Sequence, residues 1–583
     1  MVSISRDTAV LFESGIANLD AGRYAQAAEA FRNVLKRVPA FAPGYNALGL
    51  AYAGLERRDD ALSSYEAALR ADPALAAAYI NRATLRRDIG QLHQARTDLD
   101  RAVALQPHEP AAHGNRASLL MELGEPGEAI ASFERALALK PNYPHAAGLR
   151  LISKAYICDW SGMDRDLAAL EAGLRAGVPV SPPWPLLALL DDPGLQRRAA
   201  VAWIAARFPN RENRTALPPY RNHDRIRIGY YSADFHRHPT GHLIAGLFER
   251  HDRSRFEVFA FSLRPVRDDD MHRRLSAGVD RFTDVRDMSD SAVAALSRDL
   301  EIDIAVDLNG LISNNRIGIF SHRAAPVQVN YLGYPGTLGA DFIDYILADA
   351  TVIAEPRDYT ERVMFLPDCY QVNDAQRHVA DRLFSRSELG LPETAFVFCC
   401  FNNNYKITAH VFDVWMRILR AVPESVLWLI EDSAAASANL RREAARRAVE
   451  PSRLVFAPRI AQEEHLARQM SADLFLDTYP YNAHTTGSDA LWMGLPLITC
   501  PGKSFASRVA ASLLRSIGMP DLIVPTFGDY EALAVAMAQD PGRLAEVKRR
   551  LTTLRSGCRL FDLDSFTRGI ETAFLDMVAA KAA

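Results

Sequence analysis

Two polar segments in the C-terminal half of the sequence contain groups that could stabilise a phosphate. Lys406 lies in the segment FNNNYKIT, and its ammonium could neutralise a phosphate leaving group. The segment YNAHTTGSD places Thr485 and Thr486 where a helix is predicted to begin, and the N–H groups at a helix start favour an anion. Each feature alone has a second interpretation, because lysines near helix starts are commonly surface residues and HTTG is equally typical of a helix cap.

Histidines in neighbouring segments could act on a proton or on an aromatic ligand. His238 lies in a loop with two other histidines, and a neutral imidazole can take a proton from an attacking hydroxyl. His465 lies one helical turn before Arg468, so an imidazole could stack on a base while a guanidinium approaches a phosphate. As single observations, these residues are also typical of an exposed loop and an exposed helix face.

The polar segments follow short apolar stretches that are predicted to be strands. From Arg225 onward, apolar stretches alternate with amphipathic helix patterns, and the alternation begins again after about residue 390. This order predicts two Rossmann-like α/β halves, 223–390 and 391–583, each with a parallel sheet between helices. The polar clusters that follow these strands are SADFHRHPTGH, GYPGTLG, FNNNYKIT, APRIAQEEHLAR and YNAHTTGSD. Since ligands of such sheets bind at the carboxyl ends of the strands, the clusters predict one site in a cleft between the halves.

The first quarter of the sequence repeats with a period of 34 residues. The period is kept by Pro39, Pro73, Pro107 and Pro141, by Ala27, Ala61, Ala95 and Ala129, and by Phe31, Tyr65, Leu99 and Phe133. Small residues let paired helices approach, large ones fill the seam, and proline ends the second helix. The pattern resembles the tetratricopeptide repeat and predicts an α-helical array over 1–141, followed by a helical cap and linker over 142–222.

Arrays of this kind present a concave groove that usually binds peptide. Asn81 and Asn115 occupy the same position in successive repeats, where paired amide side chains could grip a peptide backbone. The alternative is a solvated helix surface, because the earlier repeats have Glu13 and Ala47 at this position.

Composition argues against several classes of protein. The 583 residues are 49% hydrophobic and 24% charged, which is typical of a globular protein of several domains. A net charge of −4 gives no indication of nucleic-acid binding. The start lacks a signal-peptide pattern and no apolar run reaches membrane-spanning length, so we expect a cytoplasmic protein that does not bind membranes. The abundance of Ala and Arg indicates a GC-rich bacterial source.

The spacing of the potential metal ligands indicates neither a metal site nor a disulfide framework. The six cysteines fall at unpatterned spacings, and no His, Cys and Asp cluster has the spacing of a metal site. The segment PGKSF resembles the end of a phosphate-binding loop, but Leu497 stands where the first glycine of that motif would be.

Together, the motifs resemble the O-linked N-acetylglucosamine transferase family, which is family 41 of the glycosyltransferases. The resemblance rests on DFHRHPTGHL, APVQVNYLGYPGTLG, FNNNYKI, SVLWL, EEHLAR, LDTYPYNAHTTGSDALWMGLPLIT and ASRVAASLL, which occur in this order roughly between residues 225 and 515. The family implies a GT-B fold of two Rossmann-like domains. It also implies inverting, metal-independent transfer of a sugar from a nucleotide donor to Ser or Thr.

The resemblance also implies roles for individual residues. His238 matches the residue proposed as the catalytic base, and Lys406 matches the lysine that contacts the donor diphosphate and helps the leaving group depart. The matches in the nucleotide site are Ile460, Ala461 and Gln462 at the uracil, His465 stacked on the base with Arg468 in the same segment, His484, Thr485 and Thr486 at the diphosphate, and Asp489 at the ribose. Gly333 and Pro335 match the loop expected near the sugar.

Three departures from the family bear on the identity of the donor. Asn403 stands where animal members have a Gln that touches the donor, and plant O-fucosyltransferases share the FNN sequence found here. Asp303 stands where animal members have His, and Gln462 replaces a Lys. The HTTG and ASRVAAS segments, by contrast, resemble the N-acetylglucosamine transferases.

We therefore expect an inverting protein O-glycosyltransferase that uses UDP-N-acetylglucosamine without any further cofactor and binds its protein acceptor along the repeat groove. A GDP-fucose or other nucleotide-sugar transferase of the same fold is one alternative. A catalytically silent repeat scaffold is the other.

Overall fold

The computed structural model describes residues 5–209, 217, 223–312 and 315–582 of the chain. The chain divides into two compact units, Met1–Ser153 and Lys154–Ala583. Within the described part, no helix combines the length and the apolar character that crossing a membrane requires.

The first unit consists of helix pairs that follow the repeat in the sequence. These helices are α1 (Arg6–Asp20), α2 (Tyr24–Arg37), α3 (Ala42–Gly54), α4 (Arg58–Ala71), α5 (Ala76–Asp88), α6 (Leu92–Leu105), α7 (Pro110–Glu122) and α8 (Pro126–Leu139). Each repeated proline lies two residues beyond the end of α2, α4, α6 or α8, because proline cannot continue the hydrogen bonding of a helix. The predicted helical repeat array is confirmed.

Small residues at the repeated positions let the paired helices touch. A Cβ atom on Gly15 would lie 2.5 Å from the ring of Phe31, and one on Gly49 would overlap the ring of Tyr65. Both rings are buried. A side chain at either glycine would therefore push the helices of that repeat apart.

The two asparagines predicted to contact peptide lie on α5 and α7. Nδ2 of Asn81 donates a hydrogen bond to Oδ1 of Asn46 at 2.9 Å. The amide of Asn81 is therefore paired with a residue of the preceding repeat. Asn115 is half-buried on α7. Binding of a peptide at these residues stays a prediction.

Helices also fill the region that was predicted to be a cap and linker. They are α9 (Ala146–Tyr156), α10 (Met163–Arg175), α11 (Pro183–Leu189) and α12 (Pro193–Arg207). The segment FPNRENRTALPPYRNHDR, predicted to be the linker, lies largely outside the described residues.

The first α/β half contains a fully parallel sheet of order β3-β2-β1-β4-β5-β6-β7. Its elements are β1 (Ile226–Ser232), α13 (Pro239–Arg250), β2 (Phe256–Ser262), α14 (Asp270–Ala277), β3 (Arg281–Asp284), α15 (Asp290–Asp299), β4 (Ile304–Asp307), α16 (Gly318–Ser321), β5 (Val327–Asn330), β6 (Tyr345–Ala348) and β7 (Arg362–Phe365). Strands β4 and β5 are buried along their whole length because helices cover both faces of the sheet, so their polar residues Asp307, Gln328 and Asn330 are buried too.

The second half contains another parallel sheet, of order β10-β9-β8-β11-β12. Its elements are β8 (Phe396–Cys400), α17 (Ala409–Ala421), β9 (Ser425–Ile430), α18 (Ala434–Arg446), β10 (Leu454–Ala457), α19 (Gln462–Arg468), β11 (Leu474–Leu476), α20 (Thr485–Trp492), β12 (Leu497–Ile498), α21 (Val509–Ile517), α22 (Phe527–Gln539), α23 (Pro541–Arg555) and α24 (Leu563–Ala582). The predicted pair of Rossmann-like sheets is confirmed.

The strand order of each sheet brings the predicted site residues to a crevice. The order reverses between β1 and β4 in the first sheet and between β8 and β11 in the second. Loops that leave the two strands at such a point diverge and leave room for a ligand. His238 follows β1, Lys406 follows β8, and His484 follows β11.

The C-terminal helix α24 returns to the first half. Oε1 of Glu571 accepts a hydrogen bond from the N–H group of Asp252 at 2.8 Å and lies 3.0 Å from Nδ1 of His251. Nε2 of His251 lies 2.9 Å from the hydroxyl oxygen of Tyr230 on β1. A buried polar network thus connects the end of the chain to the sheet of the first half.

The segment PGKSF binds a carboxylate of the protein itself. The N–H groups of Lys503 and Ser504 each donate to the carboxylate of Asp191 at 2.8 Å. Oγ of Ser507 donates at 2.8 Å and the hydroxyl of Tyr479 at 3.0 Å. The likeness to a phosphate-binding loop therefore reflects an anion-binding turn, which attaches the connection between α11 and α12 to the second half.

Replacing Gly49 by Val should destabilise the repeat unit, because the new side chain would overlap the buried Tyr65 ring. Such overpacking costs about 1–3 kcal/mol, so we expect a lower melting temperature in circular dichroism of the intact chain. Gly127→Val is the matched control, because a Cβ atom there meets nothing within 4 Å. Equal melting temperatures for the two variants would contradict the packing argument.

Candidate functional site

A cavity of about 640 Å³ lies at the carboxyl ends of the central strands and is lined by loops from both α/β halves. Among the predicted site residues, those that line it are His238, Gly333, Asn403, Lys406, Ile460, Ala461, Gln462, His465, Arg468, His484, Thr485, Thr486 and Asp489. Pro335 is buried and is not among the described residues that line this cavity, and Asn81 and Asn115 belong to the repeat unit. The structure thus gathers segments that lie far apart in the sequence.

The ammonium of Lys406 is largely withdrawn from water. Its Nζ donates to the backbone oxygen of Asn482 at 2.9 Å and lies 3.8 Å from the centre of the Tyr481 ring. Burial lowers the pKa of Lys406 to about 8, although nearby Asp477 opposes the shift. A cation held by one carbonyl and one ring has hydrogens left for an anion in the cavity.

The start of α20 offers N–H groups next to this cation. The N–H groups of Thr485 and Thr486 have no hydrogen-bond acceptor among the described residues. The preceding residue, His484, makes no cap, because its Nε2 donates to the backbone oxygen of Ala506 at 3.1 Å. Burial and the neighbouring Lys406 lower the pKa of His484 well below its usual value, so the ring is neutral. The helix start is therefore open to an anion.

A buried carboxylate shapes the turn between β11 and α20. Asp477 accepts hydrogen bonds from the N–H groups of Thr478 at 2.8 Å and Ala483 at 2.6 Å, and from the hydroxyl of Thr499 at 2.6 Å. Burial raises the pKa of Asp477 to about 7. The hydrogen bonds to buried Asp477 thus fix the turn that positions Thr485 and Thr486.

His465 is fixed as a neutral aromatic ring. Its Nδ1 accepts hydrogen bonds from Nε and Nη2 of Arg468 at 3.0 and 2.7 Å, which assigns the proton of the ring to Nε2. Burial, with help from Arg468, lowers the pKa of His465 to about 3. The ring also packs edge-on against Phe401, with centroids 5.1 Å apart.

Arg468 supports His465 from the protein interior. It is 1% exposed, and its Nη1 donates to the backbone oxygen of Pro458 at 2.7 Å. The guanidinium predicted to approach a phosphate is therefore used to orient the imidazole. An imidazole held in this way can stack on a planar ligand without adding charge.

Asp489 is a buried carboxylate held from two sides. Oδ1 accepts from Nη1 of Arg377 at 2.7 Å, and Oδ2 accepts from Nε2 of Gln462 at 3.1 Å. Burial raises the pKa of Asp489, and Arg377 opposes this shift most strongly. A carboxylate has about four lone-pair positions, so Asp489 can still accept hydrogen bonds from ligand hydroxyls.

His238 forms the N-cap of α13. Its Nδ1 accepts from the N–H group of Thr240 at 3.3 Å and lies 3.8 Å from Oδ2 of Asp234. Burial lowers the pKa of His238, so the ring is neutral near pH 7. The hydrogen bond to Nδ1 assigns the proton to Nε2, which makes Nε2 a donor. A catalytic base at this position would need the other tautomer.

The residues that depart from the family pattern occupy different places. Oδ1 of Asn403 accepts from Nη2 of Arg459 at 2.8 Å, and both residues line the cavity. Asp303 lies at the amino end of β4, where its Oδ2 accepts from the N–H group of Arg227 at 2.8 Å. Since the cavity lies at the carboxyl ends of the strands, Asp303 is not placed to contact a ligand there.

Several lining residues were not identified from the sequence. Tyr370 and Gln371 follow β7 and line this cavity, whereas Arg377 lines a smaller cavity of about 260 Å³ and donates a hydrogen bond to Asp489. The polar stretch QVNDAQRH after the last strand of the first half was the signal that could have indicated them. Tyr481 lies inside a recognised motif, but its contact with Lys406 depends on the turn after β11.

The cavity therefore combines an open anion site, a neutral aromatic wall and a carboxylate able to bind hydroxyls. This combination suits a nucleoside diphosphate, which carries an anionic group, a planar base and a ribose. In the residues that the structure describes, no group of three His, Cys, Asp or Glu side chains could hold a metal ion.

Comparison with protein families gives two matches. Residues 211–384 and 380–570 match glycosyl transferase family 41. Residues 12–76 and 80–144 match the tetratricopeptide repeat. Together the two families cover both units of the chain.

Individual relatives agree with the family match. A probable UDP-N-acetylglucosamine–peptide N-acetylglucosaminyltransferase of Arabidopsis thaliana is 35% identical over 444 residues, which cover 72% of this chain and 45% of that protein. The corresponding enzyme of Caenorhabditis elegans is 30% identical over 466 residues, covering 60% of this chain and 40% of that protein. The chain thus spans less than half the length of these curated relatives.

A solved structure resembles nearly the whole chain. It is a mutant of the O-GlcNAc transferase of Thermobaculum terrenum, 28% identical, with a TM-score of 0.67 and 99% of each chain covered.

We predict that a diphosphate bound in this cavity raises the pKa of Lys406 above its value of about 8. An anion beside an ammonium favours the charged form, so binding at about pH 8.5 should take up a proton. Calorimetry in two buffers with different ionisation heats measures this uptake. Lys406→Met is the control and should take up no proton in this pH range; equal uptake by the variant would assign the proton to another group.

Proposed function

Because the chain belongs to glycosyl transferase family 41, we propose that it transfers N-acetylglucosamine from UDP-N-acetylglucosamine to Ser or Thr hydroxyls of a protein acceptor. The observation that carries this proposal is that Lys406 and the open N–H groups of Thr485 and Thr486 share one cavity with His465 and Asp489. The names of the relatives from Arabidopsis thaliana and Caenorhabditis elegans support the same donor and a peptide acceptor.

The donor would lie along the polar segments of the second half. The uracil would stack on the neutral ring of His465, near Ile460 and Ala461. The ribose hydroxyls would donate to Asp489. The diphosphate would then receive hydrogen bonds from the start of α20 and from Lys406, which are the groups in the cavity suited to an anion.

Chemistry in this arrangement would depend on stabilising the leaving group. The acceptor oxygen attacks the anomeric carbon on the face opposite the phosphate, and the bond from that carbon to the β-phosphate oxygen breaks. The electron pair stays on the departing UDP, whose negative charge increases. Lys406 and the N–H groups of α20 are already in place for this charge, which is electrostatic catalysis by preorganised groups. We propose that these groups supply the positive charge without a metal ion.

The hydroxyl proton must leave as the new bond forms. His238 lines the cavity and is the predicted base, but its Nδ1 is engaged by Thr240 and its Nε2 carries the proton. In this tautomer, we propose that His238 donates a hydrogen bond to an oxygen of the donor or acceptor. It could act as a base only after the proton has left Nε2, so we propose that the proton of the attacking hydroxyl passes to a phosphate oxygen of the departing UDP.

The repeat unit is proposed to bind the acceptor. Asn81 and Asn46 present amide groups that are already paired with each other, and Asn115 occupies on α7 the repeat position that Asn81 occupies on α5. Primary amides can both donate to and accept from a peptide backbone, which suits acceptors of varied sequence.

Replacing Lys406 by Ala should lower kcat by about 10²-fold or more, because one preorganised donor to the leaving oxygen is lost. Initial rates of N-acetylglucosamine transfer to a peptide measure the effect. Lys503→Ala is a matched control, because the Lys503 side chain is exposed and does not line the cavity. Near-native turnover by Lys406→Ala would rule out this mechanism.

UDP should raise the melting temperature of the protein, whereas GDP should raise it much less, because binding to the folded state stabilises it. Thermal shift with equal concentrations of the two nucleotides distinguishes a uridine donor from a guanosine donor. Stabilisation by GDP alone would overturn the proposed donor and favour a GDP-fucose transferase. Binding of neither nucleotide would favour a catalytically silent scaffold.

A further inference from the structure

We propose that Arg377 is a positioning residue for the ribose of the donor, because it fixes both the orientation and the charge of Asp489. Arg377 lies outside the segments matched to donor binding and follows β7, in the connection between the two α/β halves. The inference rests on the proposed function, since it takes the ligand of Asp489 to be the ribose of a nucleotide sugar.

The guanidinium of Arg377 is bound on several sides. Nη1 donates to Oδ1 of Asp489 at 2.7 Å, and Nη2 donates to Oγ of Ser488 at 2.8 Å and to Oδ1 of Asn373 at 2.6 Å. Its central carbon lies 5.7 Å from the centre of the Trp492 ring. The side chains of Arg377 and Asp489 are only 7% and 6% exposed. Arg377 therefore uses its hydrogen bonds to fix Asp489 and the adjacent Ser488 on α20.

Asp489 has little freedom to turn. Arg377 holds one carboxylate oxygen, and the amide of Gln462 holds the other at 3.1 Å. Asp489 lines the large cavity and also a smaller adjoining cavity of about 260 Å³, to which Arg377 contributes. The two contacts hold the carboxylate plane at the boundary of the cavities, so its remaining lone pairs can receive two neighbouring hydroxyls.

The charge of Asp489 depends on the same contact. Burial raises the pKa of Asp489, while Arg377, Gln462 and, more weakly, His242 lower it. Burial lowers the pKa of His242 below its usual value, despite Asp489 and Glu463, so His242 is neutral at and above neutral pH. Among the described residues, Arg377 is thus the arginine whose charge acts most strongly on Asp489. Burial lowers the pKa of Arg377 as well, and Asp489 and Asp374 oppose that shift.

Loss of Arg377 would change the chemistry of the ribose site. A carboxylate left alone in a buried place takes up a proton at a higher pH, because burial disfavours the charge. The protonated acid has a donor where the carboxylate had an acceptor, and one ribose hydroxyl then loses its partner. Raising the pH would restore the carboxylate and part of the affinity. Loss of packing alone would give no such recovery.

The experiment measures the affinity for UDP by calorimetry at about pH 6.5 and about pH 8.5, with each variant compared with the wild type at the same pH. The ratio of the variant and wild-type dissociation constants at one pH is unaffected by the titration of UDP and of Lys406, because both groups are present in the two proteins. For Arg377→Met, we expect binding on the order of ten-fold weaker at the lower pH, since the loss of one charge-assisted hydrogen bond is of that size, and a smaller difference at the higher pH. Arg377→Lys keeps a cation and should show a smaller loss without the recovery.

Asp489→Asn supplies the second half of a double-mutant cycle. It should weaken binding equally at both pH values, because an amide does not titrate. Adding Arg377→Met to Asp489→Asn should cause little further loss, since Arg377 acts through the carboxylate. This double variant contains no unpaired buried charge. The double variant can therefore be compared with Asp489→Asn even if Arg377→Met alone does not fold. Arg316→Met is the control, because it removes a half-buried arginine that pairs with Asp290 and lines neither cavity.

The outcomes separate this inference from the proposed function. Additive losses, or a loss by Arg377→Met that is the same at both pH values, would overturn the role of Arg377 while leaving the donor assignment intact. If GDP binds in place of UDP, the proposed donor is wrong, and the same cycle with GDP still decides the inference because both nucleotides carry ribose. If the wild type binds neither nucleotide, both proposals fail.

Discussion

The arrangement of the site depends on the burial of one cation, the ammonium of Lys406, against the backbone oxygen of Asn482. The two residues come from loops after β8 and β11, which are neighbours in the sheet although they are far apart in the sequence. Asp477 lies at the end of β11 and holds the turn that carries Asn482, through the N–H groups of Thr478 and Ala483. A cation removed from water stays charged only if such fixed dipoles replace its hydration. It then interacts strongly with a nearby anion, because little water is present to screen the two charges.

The histidines around the cavity are neutral and add no positive charge to that of Lys406. His238, His465 and His484 each have a pKa lowered mainly by burial, and each has one ring nitrogen engaged by a neighbouring group. They are neutral rings near pH 7 and can stack or donate a hydrogen bond without competing for the anion. The positive charge of arginines near the cavity is likewise directed to other groups, as Arg468 shows at His465 and Arg377 at Asp489. A ligand with one strongly anionic segment would thus be drawn to a single part of the cavity.

The fold could be predicted because its sequence signals depend on residues that lie close together in the chain. The 34-residue period follows from the alternation of small and large residues in each helix pair, such as Gly15 against Phe31. The alternation of apolar strands and amphipathic helices fixed the α/β class, and the polar clusters marked the strand ends. Individual roles were harder to predict. Arg468 was expected near a phosphate but orients His465, and Asp303 lies at the opposite end of its strand from the cavity.

The sequence by itself determined the helical repeats, the two parallel sheets and the set of loops that meet at their carboxyl ends. These features depend on residue periodicity and on which residues follow a strand, and both can be read within a short stretch of chain. Only the tertiary structure decided the pairing of Arg377 with Asp489, the position of Tyr481 beside Lys406 and the tautomers of His238 and His465. Those properties depend on burial and on partners that lie far away in the sequence, and a pKa or a hydrogen bond exists only once both groups have been brought together.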